Sequence, residues 1–195
     1  MKRIIDFISS GLGLIFLSPL FFVLAVWIKL DSNGPVFYMQ TRVGKNNVDF
    51  KLFKFRSMRI GSDKKGLITV GDRDPRITSS GYFIRKYKLD ELPQLINVFI
   101  GEMSLVGPRP EVRKYVDLYS DEQMKVLLVK PGITDYASIE YMDENTILGT
   151  SNNPDKAYIE QIMPDKIKLN MKYINNQSIF EYFRIIFLTF VKIIR

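Results

Sequence analysis

The feature that most constrains this chain is an apolar run of 18 residues from Gly11 to Ile28, in which Ser18 is the only polar side chain. The run reaches the lower edge of the length that spans a membrane as a helix. A cleaved signal peptide is the competing interpretation, because Lys2 and Arg3 precede the run. No small-x-small cleavage site follows it, however, since the run ends in bulky and charged residues. The sequence therefore predicts a retained membrane anchor.

The centre of the anchor carries Ser18 and Pro19. Proline removes a backbone hydrogen bond and disfavours helical geometry in the preceding residue, so we expect a bend here. Basic residues mark the cytoplasmic flanks of membrane segments, and they lie on both flanks of this one: two precede it, and six follow between Lys29 and Arg56. We therefore predict that residues 1–30 form a re-entrant membrane helix. A proline-kinked spanning helix is the alternative.

The chain of 195 residues contains no cysteine and no histidine, which narrows its chemistry. Without cysteine there is no disulfide framework, thiol nucleophile or zinc–thiolate site. Without histidine there is no serine–histidine triad and no imidazole base or ligand. Catalysis must then use carboxylates, Lys, Arg, Tyr or hydroxyls, and Mg²⁺ is the first choice of metal. The net charge of +7 favours an anionic partner.

The pattern of residues 31–195 predicts a mostly helical α+β catalytic domain. Residues 36–43 and 48–56 are rich in β-branched and aromatic side chains, and a polar turn separates them, which predicts a β-hairpin. Helices are predicted over 89–100 and 111–129, and glycine or proline ends each of them. The fold class expected is therefore α+β, with the apolar helix in front of the domain.

The tail, residues 178–195, is predicted to be an amphipathic helix. Its charged residues lie on one narrow stripe, because eleven residues make close to three helical turns, and nearly all other side chains are apolar. The charged residues are Glu181, Arg184, Lys192 and Arg195. A helix packed in the core and a helix lying in the membrane interface both fit this pattern.

Asp90 and Glu91 form the first candidate site. If Asp90 caps the following helix, Glu91 is its first residue and Pro93 lies in its first turn, where proline is tolerated. The helix dipole would then help to keep the carboxylate ionised, and an ionised aspartate can attack as a nucleophile or bind Mg²⁺. Ordinary helix capping is the competing interpretation.

Three cations are candidates for phosphate binding. Arg109 lies between Pro108 and Pro110, so little freedom is lost when its guanidinium binds a phosphate through two hydrogen bonds. Lys54 in the hairpin and Arg85 are further cations that would neutralise a diphosphate. For each of them, a solvated surface charge is the alternative.

The block KLDELPQLINVFIGEMSLVGPRPE, residues 88–111, resembles the signature of the bacterial sugar transferases that are small monotopic phosphoglycosyl transferases. FKFRSM (53–58), DPRITSSGYFIRK (74–86) and PGIT (131–134) lie in the expected order, so the resemblance covers nearly the whole chain. Many relatives continue after PGIT with Gly, a Gln-containing stretch and a Gly-Arg pair. This chain has DYASIEY at 135–141 instead, so we assign no sugar or nucleotide contact there.

The resemblance implies transfer of a phosphosugar from a UDP-sugar to polyprenol (undecaprenyl) phosphate with Mg²⁺. The products would be UMP and a polyprenol diphosphate sugar, made as the first membrane step of glycan assembly on the cytoplasmic face of the bacterial inner membrane. It implies that Asp90 is the nucleophile, forms an aspartyl–phosphosugar intermediate and binds Mg²⁺, with Glu91 as its acid–base or metal partner. Arg109, Lys54 and Arg85 would bind phosphate.

Two alternatives stay open. A membrane-bound nucleotide-sugar pyrophosphohydrolase would use the same carboxylates and Mg²⁺ with water as the acceptor. A non-catalytic adaptor would bind membrane lipid through its basic face. Nucleic acid is not an expected partner, because the chain combines a membrane anchor with no nucleic-acid-binding motif.

Overall fold

The computed structural model describes residues 1–62 and 74–194. Its first element, α1 (Lys2–Asp31), confirms the predicted N-terminal helix and stays helical through Pro19. Because Pro19 has no N–H, the carbonyl of Ile15 loses its helical partner, and the Ser18 hydroxyl donates to that carbonyl over 2.7 Å instead. Among the described residues, α1 is the one helix long and apolar enough to cross a membrane.

Both ends of α1 contact the same domain. Near the N-terminus, Arg3 donates to the carbonyls of Val98 and Phe99 over 2.5 and 2.7 Å. At the other end, the Asp31 carboxylate accepts hydrogen bonds from the backbone N–H and the hydroxyl of Ser80, over 3.0 and 2.8 Å. The helix therefore lies along the domain, while a face of large apolar side chains stays exposed. That face comprises Ile4, Phe7, Ile8, Leu12, Ile15, Phe16, Phe22, Val23, Val26, Trp27 and Leu30.

Arg56 closes the C-terminal end of α1. Its side chain is only 4% exposed and donates to the carbonyls of Ile28, Ser32, Asn33 and Pro35. The last carbonyls of a helix lack intrahelical partners and need donors from elsewhere. From the end of the hairpin, Arg56 supplies a donor to Ile28 of the helix and to three carbonyls that follow it, so it ties α1 to the domain and acts as a structural residue.

The predicted hairpin is confirmed. Strands β1 (Phe37–Val43) and β2 (Asp49–Phe55) pair antiparallel, with Phe37 opposite Phe55 and Val43 opposite Asp49. A second, parallel pair joins β3 (Ser104–Val106) to β4 (Gly132–Thr134), which the sequence pattern does not predict. It requires glycine, because a Cβ atom at Gly132 would lie 2.1 Å from the backbone nitrogen of Gly107.

The rest of the domain is helical, which confirms the α+β class. The remaining helices are α2 (Ser79–Lys86), α3 (Gln94–Ile100), α4 (Arg113–Val116), α5 (Asp121–Met124), α6 (Tyr136–Glu140), α7 (Glu144–Gly149), α8 (Pro154–Ala157), α9 (Met163–Asn175) and α10 (Ile179–Ile194). The continuous helix predicted over 111–129 is wrong. Ser120 starts a new helix there, since its hydroxyl accepts from Gln123 N–H in a capping box.

Helix α10 has two different apolar faces. Tyr182 and Ile185 are fully buried, and the Tyr182 hydroxyl donates over 2.6 Å to Asp6 of α1. The opposite face exposes Phe180, Phe183, Phe187 and Phe190. The charged stripe predicted for this helix is present at Glu181 and Arg184, which form an i,i+3 ion pair of 3.5 Å. Glu181 is buried and also accepts a hydrogen bond from the Tyr136 hydroxyl.

Candidate active site

Asp90 and Glu91 lie in a short 3₁₀ turn, Leu89–Glu91, before α3 begins at Gln94. The prediction that Asp90 caps this helix is therefore wrong. Lys88 explains the difference, because its left-handed backbone (φ 55°) turns the chain sharply after α2. Such conformations are costly for residues other than glycine and cluster at functional sites.

Glu91 is held by two cations. Its Oε1 accepts a hydrogen bond from Lys54 Nζ over 3.0 Å, and its Oε2 accepts one from Arg109 Nη1 over 3.0 Å. Arg109 Nη2 donates to Oε1 as well, which makes the arginine contact bidentate. Burial by itself would raise the pKa of Glu91, but the charges of Arg109 and Lys54 outweigh it and hold that pKa well below its usual value. Glu91 is therefore an ionised carboxylate whose two oxygens are both occupied by hydrogen bonds.

The neighbouring carboxyl group of Asp90 has a raised pKa, whereas that of Glu91 is lowered. The Asp90 side chain is 6% exposed, and burial together with the negative charge of Glu91 raises its pKa. The positive charges of Lys54, Arg85 and Arg109 act against that rise. Within residues 1–62 and 74–194, no group donates a hydrogen bond to the Asp90 carboxylate. The turn therefore presents one bound carboxylate and, beside it, one buried carboxylate open to a ligand.

Asp135, a residue for which the sequence pattern indicates no role, holds the backbone of Arg109. It is completely buried; its Oδ2 accepts from the Arg109 N–H over 2.7 Å, and its Oδ1 accepts from the Ser138 N–H. Aspartate is a favoured N-cap, so the start of α6 was detectable in the segment that departs from the family pattern. The contact with Arg109 was not, since 26 residues separate the pair.

All five predicted site residues line one cleft of about 810 Å³, a volume typical of ligand sites. Lys54 comes from β2, Arg85 from the last turn of α2, and Arg109 from the loop after β3. Among the described residues, nine cationic side chains and four carboxylates line this cleft. The excess of positive charge suits an anionic ligand such as a diphosphate.

Mg²⁺ fits this site as an ion that the ligand helps to hold. In the described part of the chain, no three Asp, Glu, His or Cys side chains lie close enough together to hold a metal ion by themselves. Both oxygens of Glu91 already accept hydrogen bonds, whereas none of the residues that the structure describes donates one to Asp90. Because Mg²⁺ commonly binds one or two carboxylates and completes its shell with water and substrate phosphate, Asp90 is a suitable partial ligand.

The family model described as bacterial sugar transferase matches residues 1–195. The chain is 40% identical over 192 residues to a UDP-N-acetylgalactosamine-undecaprenyl-phosphate N-acetylgalactosaminephosphotransferase from Aeromonas hydrophila, covering 97% of this chain and 42% of the relative. It is 36% identical over 195 residues to the UDP-glucose:undecaprenyl-phosphate glucose-1-phosphate transferase of Escherichia coli K12, covering 98% and 40%.

The chain thus spans about two fifths of the length of these two relatives. It is also 39% identical over 198 residues to the exopolysaccharide production protein PSS of Rhizobium leguminosarum, with 98% of this chain and 94% of that relative covered. The family model and all three relatives match nearly the whole chain, including the turn that carries Asp90 and Glu91. This chain belongs to the bacterial sugar transferase family.

Proposed function

We propose that this chain is a phosphoglycosyl transferase, which moves a sugar phosphate from a UDP-sugar to undecaprenyl phosphate at a bacterial membrane. The observation that carries the proposal is the pair of unlike carboxylates in the basic cleft. Glu91 is bound by two cations, and Asp90 is buried beside the same cations with no hydrogen-bond donor among the described residues. The substrates named for the relatives in A. hydrophila and E. coli support the choice of donor and acceptor.

Asp90 is the proposed nucleophile. One of its carboxylate oxygens attacks the phosphorus that bears the sugar, the bond from that phosphorus to the bridging oxygen breaks, and the electron pair leaves with UMP. The product is an aspartyl–phosphosugar intermediate, in which the carboxyl oxygen of Asp90 is bonded to phosphorus as an acyl phosphate. An oxygen of the polyprenol phosphate then attacks the same phosphorus, and the Asp90 carboxylate leaves with its electron pair, which yields the polyprenol diphosphate sugar.

The other groups position charge for these two displacements. The low pKa of Glu91 and its occupied oxygens favour an orienting role over proton transfer. Glu91 fixes the guanidinium of Arg109 and the ammonium of Lys54 beside Asp90, where they face the diphosphate, and Arg85 adds positive charge. Mg²⁺ bound by Asp90 and the diphosphate would supply further charge neutralisation. Phosphoryl transfer depends mainly on such positioning and electrostatic stabilisation.

We further propose that α1 enters the membrane and returns to the cytoplasmic side. A straight helix of 30 residues is about 45 Å long, so a spanning helix would place its ends on opposite faces of the bilayer. Here Arg3 and Asp31, at the two ends, both hydrogen-bond to the domain. The exposed apolar faces of α1 and α10 would then lie in the same leaflet.

Two cysteine substitutions test this arrangement, and the chain has no native cysteine to interfere. Lys2→Cys and Asn46→Cys lie before and after the membrane segment. We expect both to be protected from a membrane-impermeant thiol reagent added on the periplasmic side of intact cells. Labelling at Lys2→Cys alone would establish a crossing helix and refute the re-entrant arrangement.

Labelling of the protein tests the covalent step. The protein is incubated with UDP-N-acetylgalactosamine or UDP-glucose carrying label in the sugar, together with Mg²⁺ and no acceptor. We expect up to one label per chain and one equivalent of UMP, because no acceptor removes the sugar phosphate. Asp90→Asn should take up no label, because its amide is not a nucleophile. Label retained by Asp90→Asn would refute the assignment, and continued UMP release without polyprenol phosphate would indicate a pyrophosphohydrolase.

A further inference from the structure

Strand β1 brings to the cleft a glutamine that the proposed mechanism does not use. Tyr38, Gln40 and Arg42 alternate along the strand, so they point to the same face of the hairpin, and all three line the cleft. The next pair along this face places Tyr38 opposite Lys54. Gln40 is half-buried. Its carboxamide therefore lies on the hairpin side of the cleft, one residue pair away from a cation of the candidate site.

Arg42 fixes the orientation of the Gln40 carboxamide. Its Nε and Nη2 atoms both donate to Gln40 Oε1, over 3.1 and 2.8 Å. A guanidinium has five donors and no acceptor. The amide oxygen, and not the amide nitrogen, must therefore face Arg42, and the two hydrogens on Nε2 point elsewhere.

The same guanidinium is bound to the loop that carries Arg109. Arg42 Nη1 donates to the carbonyl of Pro110 over 2.9 Å, and the Arg42 side chain is only 15% exposed. Burial lowers the pKa of Arg42, and the charges of Arg109 and Glu91 also act on this group. A buried group that contacts the active-site loop therefore holds Gln40 in place.

The amide nitrogen of Gln40 is left with hydrogens to donate. Oε1 accepts twice from Arg42, but no acceptor for Nε2 is present among the residues that the structure describes. Water or a ligand must then accept from Nε2. The diphosphate of a nucleotide sugar carries non-bridging oxygens that accept hydrogen bonds, and the proposed displacement requires it to lie beside Lys54 and Arg109. An NH₂ group therefore complements the ligand that these cations attract.

We propose that Gln40 is a substrate-binding residue, whose Nε2 atom donates a hydrogen bond to a non-bridging oxygen of the diphosphate in the UDP-sugar. Arg42 is the residue that positions it. This inference rests on the proposed function, because it takes a UDP-sugar as the ligand.

Two substitutions separate the two ends of the carboxamide. Gln40→Glu keeps an oxygen that accepts from Arg42 and replaces the NH₂ group with a second, negatively charged oxygen. Gln40→Met has a similar length and removes both the acceptor and the donor. If Gln40 only braced Arg42, glutamate would be tolerated better than methionine. If Gln40 donates to a diphosphate, methionine is tolerated better than glutamate, so the order of the two variants decides between the two roles.

Gln123→Glu is the matched control for the added charge. Gln123 is also half-buried, and its Oε1 accepts a hydrogen bond from the Ser120 N–H over 2.9 Å. Glutamate preserves a capping box of this kind. Gln123 does not line the cleft, so this variant makes the same chemical change away from the substrate.

Three properties of each protein are measured in detergent micelles. They are the rate of labelling by the sugar-labelled UDP-sugar, the dissociation constant of UDP in the presence of Mg²⁺, and the midpoint of thermal unfolding. UDP carries the diphosphate without the sugar, so its affinity reports the proposed contact directly. It does so without any covalent step.

We expect Gln40→Glu to be labelled about a hundredfold more slowly and to bind UDP about tenfold more weakly, because a carboxylate would face the diphosphate. Gln40→Met should be labelled about tenfold more slowly, which corresponds to the loss of one hydrogen bond to a charged group, and should bind UDP more weakly than the unmodified protein. Gln123→Glu should match the unmodified protein. The thermal midpoint should be higher in Gln40→Glu than in Gln40→Met, since glutamate keeps the contact with Arg42.

Unchanged labelling and UDP affinity in Gln40→Glu would refute the contact, and so would a larger loss in Gln40→Met than in Gln40→Glu. Slower labelling of Gln40→Glu with unchanged UDP affinity would also refute it, because the amide would then contact the sugar. If Gln40→Glu does not fold, unchanged UDP affinity in Gln40→Met refutes the contact. If the unmodified protein takes up no label from any UDP-sugar, the proposed covalent mechanism fails, whereas UDP affinity still decides the role of Gln40.

Discussion

Replacing Arg109 with lysine keeps the positive charge beside Glu91 and removes the planar fork that holds it. Arg109 donates two hydrogen bonds to this carboxylate, and lysine at the same position can keep one of them. A hydrogen bond to a charged group is worth about 1.5–3 kcal/mol. Glu91 is only 18% exposed, so water replaces the lost contact poorly. We therefore expect the free energy of unfolding to fall by about 1.5–3 kcal/mol.

The same change should slow the first displacement. If the guanidinium holds phosphate with a comparable contact, losing the bidentate geometry lowers the rate of labelling about tenfold to a hundredfold. The assay measures labelling by UDP-sugar and chemical unfolding of the same preparations. Arg113→Lys is the matched control, because the ion pair of Arg113 with Asp49 is more exposed, at 38% and 46%. Exposed pairs contribute about 0.2–1 kcal/mol, and this one lies outside the cleft.

The lowered pKa of Glu91 also predicts how the stability of the protein changes with pH. The folded-state pKa of Glu91 is depressed, so the stability from its contacts is present above the ordinary glutamate pKa and is lost as the pH falls through the folded value. The stability difference between the unmodified protein and Arg109→Lys should therefore be largest near neutral pH and shrink in acid. Equal stability and full labelling activity in Arg109→Lys would refute the reasoning, because the bidentate contact would then contribute to neither folding nor the first displacement.

Two further predictions concern groups around the same carboxylates. Asp135→Asn puts an amide where two backbone N–H groups donate, so the rate of labelling should fall about tenfold or more. If Asp135 acts through Arg109, adding Arg109→Ala should cause no further loss in a double-mutant cycle. Additive losses would refute this positioning role. Arg85→Gln removes a charge that lowers the pKa of Asp90, so the acid limb of the pH–rate profile for labelling should move to higher pH. Arg85→Lys keeps the charge and should leave that limb in place. An unmoved acid limb in Arg85→Gln would contradict the assignment.

Interactions among neighbouring residues are enough to specify the local features of this protein. The apolar run specified α1, and the adjacent Ser18 and Pro19 specified both the missing donor and the hydroxyl that replaces it. The alternation of aromatic and β-branched residues around a polar turn specified the hairpin. The motif of residues 88–111 identified the family. These features depend on interactions among neighbouring residues, so they are present in the order of the amino acids.

The protonation and partners of each site carboxylate depend on contacts between segments that are distant along the chain. Helix-dipole reasoning predicted an ionised, capping Asp90, but the residue lies in a turn before the helix, and burial beside Glu91 raises its pKa. Lys54 and Arg109 reach Glu91 across 37 and 18 residues of chain, and Asp135 reaches Arg109 through the β3–β4 pair. A pKa depends on desolvation and on charges within a few ångströms, and packing between distant segments sets both.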